Sequence, residues 1–248
     1  MQLIGLPYSP WSERARFALD VRHVAYTFRS YQPLLGEPRL RLLTGKWRGN
    51  VTVPVLRDGK LVLSDSGAIA RHADERGEGP RLFPEPVAEV AHFEALAERG
   101  LAAGRALSLA RMLDDDEALA EMVPRALRKG LGPLAAGIGR AGVRRTFRKY
   151  GCDARPLGEH RAEQVSVLDA LRAALARSVS KDEPRTLLPA FSYADITMAQ
   201  TLVFVAPPAT GLRLGRASRR AFSDPELRER YTELVAWRDA LYARWRSA

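Results

Sequence analysis

Asp65 and Ser66 are the adjacent residues whose types most directly predict binding chemistry. The apolar spacing that follows them predicts a helix beginning at Ser66. The free amides and the dipole of a helix N-terminus attract anions, so the Ser66 amide and hydroxyl could bind an anionic group. The Asp65 carboxylate beside them suits a cationic one. The alternative is that either residue only caps the helix, which requires no ligand.

Three hydroxyl groups lie around the predicted start of an earlier helix. Tyr8, Ser9 and Ser12 flank Pro10, which suits the first helical position, and Ser9 is the expected N-cap. A hydroxyl donor at a helix N-terminus can lower the pKa of a thiol, ordinarily about 8.5, by stabilising the thiolate. Ser9 and Ser12 also have the spacing of a C-x-x-C pair. Because neither is cysteine, the sequence does not support dithiol–disulfide exchange.

Ser192 and Asp195 have the S-x-x-D spacing of a capping box at the start of an apolar helix. In such a box the serine hydroxyl accepts from the amide three residues later, and the carboxylate accepts from the serine amide. We therefore expect a structural role for this pair.

The first part of the chain predicts the order βαβ-α-ββ-α. The alternating and helical patterns place strands at residues 2–6, 26–30, 53–56 and 60–63, and helices at residues 10–23, 37–44 and 66–75. Asp58-Gly59 is a strong hairpin signal between the last two strands. The segment 77–86 is rich in glycine and proline, which is typical of a linker. We place the domains at residues 1–79 and 87–248, with residues 80–86 between them.

The second domain is predicted to be all-helical. Helical periodicity covers residues 87–113, 117–128, 157–178, 193–205 and 225–246. Residues 131–150 differ, because four glycines each weaken a helix by about 1 kcal/mol relative to alanine and a basic cluster follows them. A basic amphipathic element touching lipid or an acidic partner is one interpretation. We favour an irregular, solvated insertion between helices.

Composition excludes several classes of protein. The chain has 248 residues, 46% of them hydrophobic, and a net charge of +10 that comes mostly from arginines spread along every segment. This spread argues against a nucleic-acid-binding patch and against firm membrane association. The single Cys152 fits a reducing, cytoplasmic location. The histidines lack metal-ligand spacing, no glycine-rich phosphate loop occurs, and we expect neither a signal peptide nor a membrane span.

The motifs together resemble the glutathione S-transferase family. The resemblance rests on residues 51–56 with Val53-Pro54, on residues 61–70 with Asp65-Ser66, and on the capping box in residues 189–200. It covers nearly the whole chain. It implies a thioredoxin-like domain followed by a helical domain, assembled as a homodimer, with glutathione as cosubstrate and no metal.

The resemblance also implies roles for the residues that bind glutathione. Val53 would pair through its backbone with the cysteinyl residue, next to a cis bond at Pro54. An ordinary trans proline opening an edge strand is the alternative. Ser66 would bind the γ-glutamyl carboxylate and Asp65 its ammonium. The family usually has Glu or Gln before this serine, so Asp65 shortens the acidic arm.

Residues 8–14 resemble the serine and cysteine types of the family. Aligning Arg14 and Arg16 on the paired basic residues of that helix puts Ser9 opposite the glutathione sulfur, with Ser12 and Tyr8 as alternatives. By analogy, the electrophilic substrate would lie near four residues: Trp11, Leu107, Arg111 and Met112.

These observations predict a glutathione transferase, a detoxification-type enzyme in which the thiolate of glutathione attacks a soft electrophile. A glutathione-dependent isomerase would use the same thiolate. A binding or scaffold protein that keeps the fold without turnover is the competing class, since fold does not fix function.

Overall fold

The computed structural model describes residues 1–33, 36–132 and 134–246. Its N-terminal part contains a four-stranded sheet in the order β2-β1-β3-β4. The strands are β1 (Gln2–Gly5), β2 (Thr27–Ser30), β3 (Val55–Asp58) and β4 (Leu61–Leu63). Strand β1 runs parallel to β2 and antiparallel to β3, and β3 pairs with β4 across the Asp58-Gly59 hairpin.

Three helices cover the two faces of this sheet: α1 (Pro10–Val21), α2 (Glu37–Thr44) and α3 (Ser66–Arg76). Successive residues of a strand point to opposite faces. Leu3 therefore packs with α1 and α3, while Ile4 packs with Leu40 of α2 on the other side. The expected order βαβ-α-ββ-α is confirmed.

The remainder of the described chain is helical, as predicted. Its elements are α4 (Val87–Leu113), α5 (Asp116–Glu121), α6 (Arg125–Leu131), α7 (Leu134–Lys149), α8 (Leu157–Arg177), α9 (Tyr193–Ala199), a 3-10 helix (Gln200–Phe204), α10 (Arg216–Phe222), α11 (Pro225–Arg230) and α12 (Thr232–Trp245). Within the described ranges, no helix combines the length and apolarity that a bilayer crossing requires.

One apolar core joins the two parts. Phe17, Ala18 and Ala70 of the N-terminal part belong to the same buried cluster as Tyr193 and Ile196 of α9. The N-terminal part is therefore held against the helical part by ordinary hydrophobic packing, which fixes the cleft between them.

The expectation of an irregular insertion at residues 131–150 was wrong. Apart from Pro133, which lies outside the described residues, this segment continues α6 and then forms α7. Helix α7 tolerates its glycines because one of them, Gly139, packs closely against α5. A Cβ atom added to Gly139 would lie 2.0 Å from the Leu119 carbonyl oxygen of α5. Close contact between the two helices offsets the weak helix propensity of glycine.

Several other helix boundaries differ from the prediction. Residues 117–128 form two helices, α5 and α6, and Pro124 caps the second one. Residues 225–246 also divide, at Tyr231, and α10 was not predicted at all. The helix beginning at Tyr193 passes into a 3-10 helix at Gln200.

Helix α7 reaches back to the N-terminal part. The Lys149 Nζ donates to the Val51 carbonyl oxygen at 2.8 Å, and the Asn50 side-chain amide donates to the Lys149 carbonyl oxygen at 3.2 Å. Arg145 forms an ion pair with Glu37 of α2 at 3.1 Å. The basic segment thus closes one side of the cleft.

Candidate active site

A cavity of about 500 Å³ lies between the sheet domain and the helical part. This volume is in the range of small-molecule sites. One wall comes from the N-terminal domain and includes Tyr8, Ser9, Val53, Pro54, Asp65 and Ser66. The facing wall comes from α4, α7 and the end of the 3-10 helix, and includes Arg105, Ser108, Met112, Val143, Lys149 and Phe204.

The N-terminus of α3 opens into this cavity. Asp65 is the N-cap, with its side chain accepting from the Ala68 amide at 2.9 Å, and it is exposed. Ser66 is buried, and its hydroxyl oxygen accepts from the Arg14 guanidinium at 3.0 Å. Because Ser66 accepts there, its hydroxyl proton is available to donate, either to the adjacent Tyr193 hydroxyl or to a ligand. A carboxylate and a helix N-terminus therefore lie side by side, as the sequence predicted.

Arg14 supports this end of the cavity from behind. Its guanidinium is buried, donates to the Thr197 hydroxyl at 2.6 Å and forms an ion pair with Glu98. A buried cation needs such partners, because losing its water without compensation is costly. Arg14 thus fixes Ser66 and connects the sheet domain to α4 and α9. Nothing in the sequence alone indicates this supporting role of Arg14.

The Val53–Pro54 peptide bond is cis. Val53 lines the cavity just before β3, and no hydrogen bond among the described residues uses its amide or carbonyl group. It presents a free backbone edge beside Asp65 and Ser66.

Two of the three hydroxyl candidates reach the cavity. Ser9 caps α1 through a long contact of 3.5 Å from the Ser12 amide, and Tyr8 lies next to it. Burial raises the pKa of Tyr8 to about 12, so its phenol stays protonated as a donor. Ser12 is fully buried, does not line the cavity and accepts from the Leu6 amide at 3.0 Å.

Two of the four residues suggested for the electrophile line the cavity. Trp11 lines the cavity, with its indole nitrogen donating to Glu98 at 3.0 Å, and Met112 lines it as well. Leu107 is buried away from the cavity. Arg111 also lies outside it and donates to the Ala221 carbonyl at 2.9 Å. The structure does not bring these last two to the site.

The position of each residue around α4 explains why Met112 lines the cavity and Leu107 and Arg111 do not. Arg105, Ser108, Leu109 and Met112 are spaced i, i+3, i+4 and i+7, which places them on one face of α4, and all four line the cavity. Starting from Met112, this periodicity would have selected Arg105, which sequence reasoning missed. The sequence has no comparable pattern for the residues of α7 that line the cavity, because their position depends on how that helix packs.

The Ser192 and Asp195 pair lies outside the cavity, at the start of α9. The buried Asp195 carboxylate accepts from the Ser192 amide at 2.9 Å and from the Leu187 amide at 2.8 Å. Burial raises the pKa of Asp195 to about 7, against the effect of these donors. The capping box thus fixes the backbone between Leu187 and the start of α9.

Within the described part of the chain, no group of three or more histidine, cysteine, aspartate or glutamate side chains is arranged to hold a metal ion.

Comparison with known proteins agrees with this geometry. Residues 3–81 match the family described as glutathione S-transferase, N-terminal domain. A probable maleylacetoacetate isomerase from Vibrio cholerae serotype O1 is 33% identical over 96 residues, which are 38% of this chain and 45% of that protein. The match thus spans less than half of the relative.

Solved structures extend the likeness to the whole chain. Glutathione transferase GSTFuA2 from Phanerochaete chrysosporium aligns with a TM-score of 0.67 at 19% identity, covering 100% of this chain and 98% of that one. A glutathione S-transferase from Methylobacillus flagellatus KT, solved with GSH bound, aligns with a TM-score of 0.57 at 18% identity, covering 98% and 94%. At such identities the likeness concerns the fold.

The fold and the site together define a thioredoxin-like domain joined to a helical domain, with a cleft between them. Residues 3–81 match the N-terminal domain of the glutathione S-transferase family, and the chain as a whole has the fold of solved glutathione transferases.

Proposed function

We propose that the protein binds glutathione in this cavity and uses its thiolate to attack a soft electrophile. The observation that carries the proposal is the meeting, in one cavity, of a free backbone edge at Val53, a carboxylate at Asp65 and the α3 N-terminus at Ser66. A γ-glutamyl peptide carries an ammonium, a carboxylate and an extended backbone, which complement these three groups.

The γ-glutamyl group and the cysteinyl residue of the tripeptide then each have a defined partner. The γ-glutamyl carboxylate would accept from the Ser66 amide and hydroxyl, and the γ-glutamyl ammonium would pair with Asp65. The cysteinyl backbone would bind the edge at Val53. This arrangement directs the sulfur toward the start of α1, where Ser9 and Tyr8 offer hydroxyl donors.

Ser9 is the proposed activator of the thiol, with Tyr8 as the rival donor. A hydroxyl proton binds a thiolate more strongly than a thiol, and the α1 N-terminus adds a favourable field. Ser9 accepts from the Ser12 amide only at 3.5 Å, so its proton is free for this use. We give Ser12 no such role, because its hydroxyl is buried against the Leu6 amide.

A glutathione-dependent isomerase is the second candidate, since the partial relative is named a probable maleylacetoacetate isomerase. The same thiolate would add to the substrate reversibly rather than replace a leaving group. A cytoplasmic location and a homodimeric assembly also remain proposals.

The role of Ser9 is tested by titrating the ultraviolet absorbance of the bound thiolate. We expect Ser9→Ala to raise the pKa of bound glutathione by about 1 unit, equivalent to about 1.4 kcal/mol, and to lower turnover of an electrophile panel while affinity changes little. Removing the hydroxyl weakens only the thiolate form.

Ser108→Ala is the matched control, because Ser108 lines the facing wall and its hydroxyl donates to the Arg105 carbonyl. It should leave the thiol pKa unchanged. Equal pKa values in wild type and Ser9→Ala would assign activation to Tyr8, which Tyr8→Phe then tests.

A further inference from the structure

Arg105 places a cation within the facing wall of the cavity. Its guanidinium carbon lies 4.6 Å from the ring centroid of Trp11 and 3.8 Å from that of Tyr150. The two rings belong to different elements, α1 and the end of α7, and they hold the guanidinium between them. Cation–π contacts of this kind stabilise a partly desolvated arginine and fix its direction.

Within the part of the chain that the structure describes, this cation has no carboxylate counterion. Among the described residues, no carboxylate lies within 4.0 Å of the Arg105 guanidinium, and its buried Nε has no hydrogen-bond partner. The Cys152 thiol is beside it, Tyr150 faces it, and Glu98 acts on it only at longer range. Burial lowers the pKa of Arg105, but a guanidinium stays charged. A desolvated cation whose neighbours are a thiol and two aromatic rings, with no carboxylate in contact, favours an anionic ligand.

The nearby carboxylates are already engaged. Glu98 pairs with the buried Arg14, and Glu37 pairs with Arg41 and Arg145. Lys149 adds a second, partly buried cation to the same wall. The charge that this wall offers to a ligand is therefore positive.

We propose that the electrophile handled by this site is a planar molecule bearing a carboxylate, with the carboxylate bound by Arg105 and the ring held against Trp11 and Met112. The inference rests on the proposed function, because it names the substrate class of that same cavity. A guanidinium fork suits a carboxylate, since both are planar and form two parallel hydrogen bonds. The carboxylate of the γ-glutamyl group has its own site at Ser66 on the other wall.

The first test needs no turnover. Calorimetry compares the binding of a dinitrobenzoate and of the corresponding neutral dinitrobenzamide to the whole protein. We expect wild type to bind the carboxylate at least tenfold more tightly, and Arg105→Gln to remove this preference. Arg105→Lys, which keeps the charge, should retain part of it. Equal affinity for the two probes in wild type would overturn the proposal without any variant.

Arg99→Gln is the matched control, since Arg99 lies on the same helix but pairs with Glu163 outside the cavity. It makes the same change in net charge and should leave the preference intact. A loss of preference in both variants would mean that only the overall charge attracts the anion, which also contradicts the proposal.

The second test separates the substrate class from the function. With a chlorodinitrobenzoate, the thiolate forms a carbon–sulfur bond at the ring carbon that carries chlorine, and chloride leaves with the bonding electron pair. We expect Arg105→Gln to lower kcat/KM for this acid at least tenfold more than kcat/KM for the neutral chloro-amide.

Equal losses for the two substrates, with a raised thiol pKa, would instead assign Arg105 to the thiolate and overturn the proposal. If the protein prefers the carboxylate probe but does not bind glutathione, the proposed function is contradicted, and so is the proposal that the bound carboxylate is the electrophile. The protein would then be a receptor for aromatic carboxylates.

Discussion

Buried polar side chains determine how the cleft is built at the level of single residues. Arg14 connects Ser66, Thr197 and Glu98, so one guanidinium links the α3 N-terminus to α9 and α4. In the proposed complex Ser66 touches the ligand, and it is held in position by Arg14, which does not touch the ligand. A substitution of Arg14 would therefore disturb the site and the domain contact together.

Asp195 shows the same principle away from the cavity. We expect Asp195→Ala to lower the free energy of unfolding by about 2–6 kcal/mol, because the buried Leu187 and Ser192 amides would each lose an acceptor at about 1–3 kcal/mol. Denaturant unfolding measures this change. Glutathione affinity should be unaffected, since the pair lies outside the cavity. A stable variant with weaker glutathione binding would contradict the structural role.

The raised pKa of Asp195 also predicts a pH dependence. Its folded value of about 7 lies above the ordinary value, so the folded state holds one more proton than the unfolded state between about pH 4 and 7. The contribution of this carboxyl group to stability is thus complete below about pH 4 and falls as pH rises through 7. The Asp195→Ala variant should lack this part of the pH profile.

At the level of elements, α7 is the part of the chain that turns an open cleft into a cavity. The contacts that hold α7 in place, to the sheet domain and to α5, differ in strength. The Arg145–Glu37 pair is largely exposed on the arginine side and is worth about 0–1 kcal/mol. The close packing of α7 on α5 at Gly139 is the stronger constraint, because it involves backbone atoms on both sides.

This packing predicts opposite effects for two glycines of the same helix. Gly139→Ala should destabilise the protein, because its Cβ would lie 2.0 Å from the Leu119 carbonyl oxygen, and the helices would have to separate. Gly137 has no atom within 4 Å of an added Cβ, so Gly137→Ala should stabilise by about 0.5–1 kcal/mol through helix propensity. Thermal unfolding of both variants distinguishes them; equal shifts would contradict the close contact.

At the level of the whole molecule, the site has one wall that its sequence predicts and one that it does not. Asp65, Ser66 and Val53 are recognisable because helix starts and X-Pro bonds are local signals. The facing wall depends on the helical phase of α4 and on the packing of α7, which are set by distant contacts. Choosing Leu107 and Arg111 instead of Arg105 was an error of phase on a correctly predicted helix.

The same distinction applies to the basic segment. Its glycines predicted an irregular insertion, because by helix propensity alone each glycine destabilises a helix. The structure shows that Gly139 permits a contact that a larger residue would prevent. Local propensity therefore gave the wrong result where tertiary packing decides.

The most direct test of the central claim is the affinity for glutathione, measured by calorimetry on wild type and Asp65→Asn. Asparagine keeps the side-chain oxygen that caps α3 at the Ala68 amide and removes the negative charge. Asp115→Asn is the control, because Asp115 caps α5 in the same way outside the cavity. We predict that wild type binds glutathione, that Asp65→Asn weakens binding by about 1.5–3 kcal/mol, and that Asp115→Asn does not. No binding by wild type, or equal affinity in wild type and Asp65→Asn, would contradict the account.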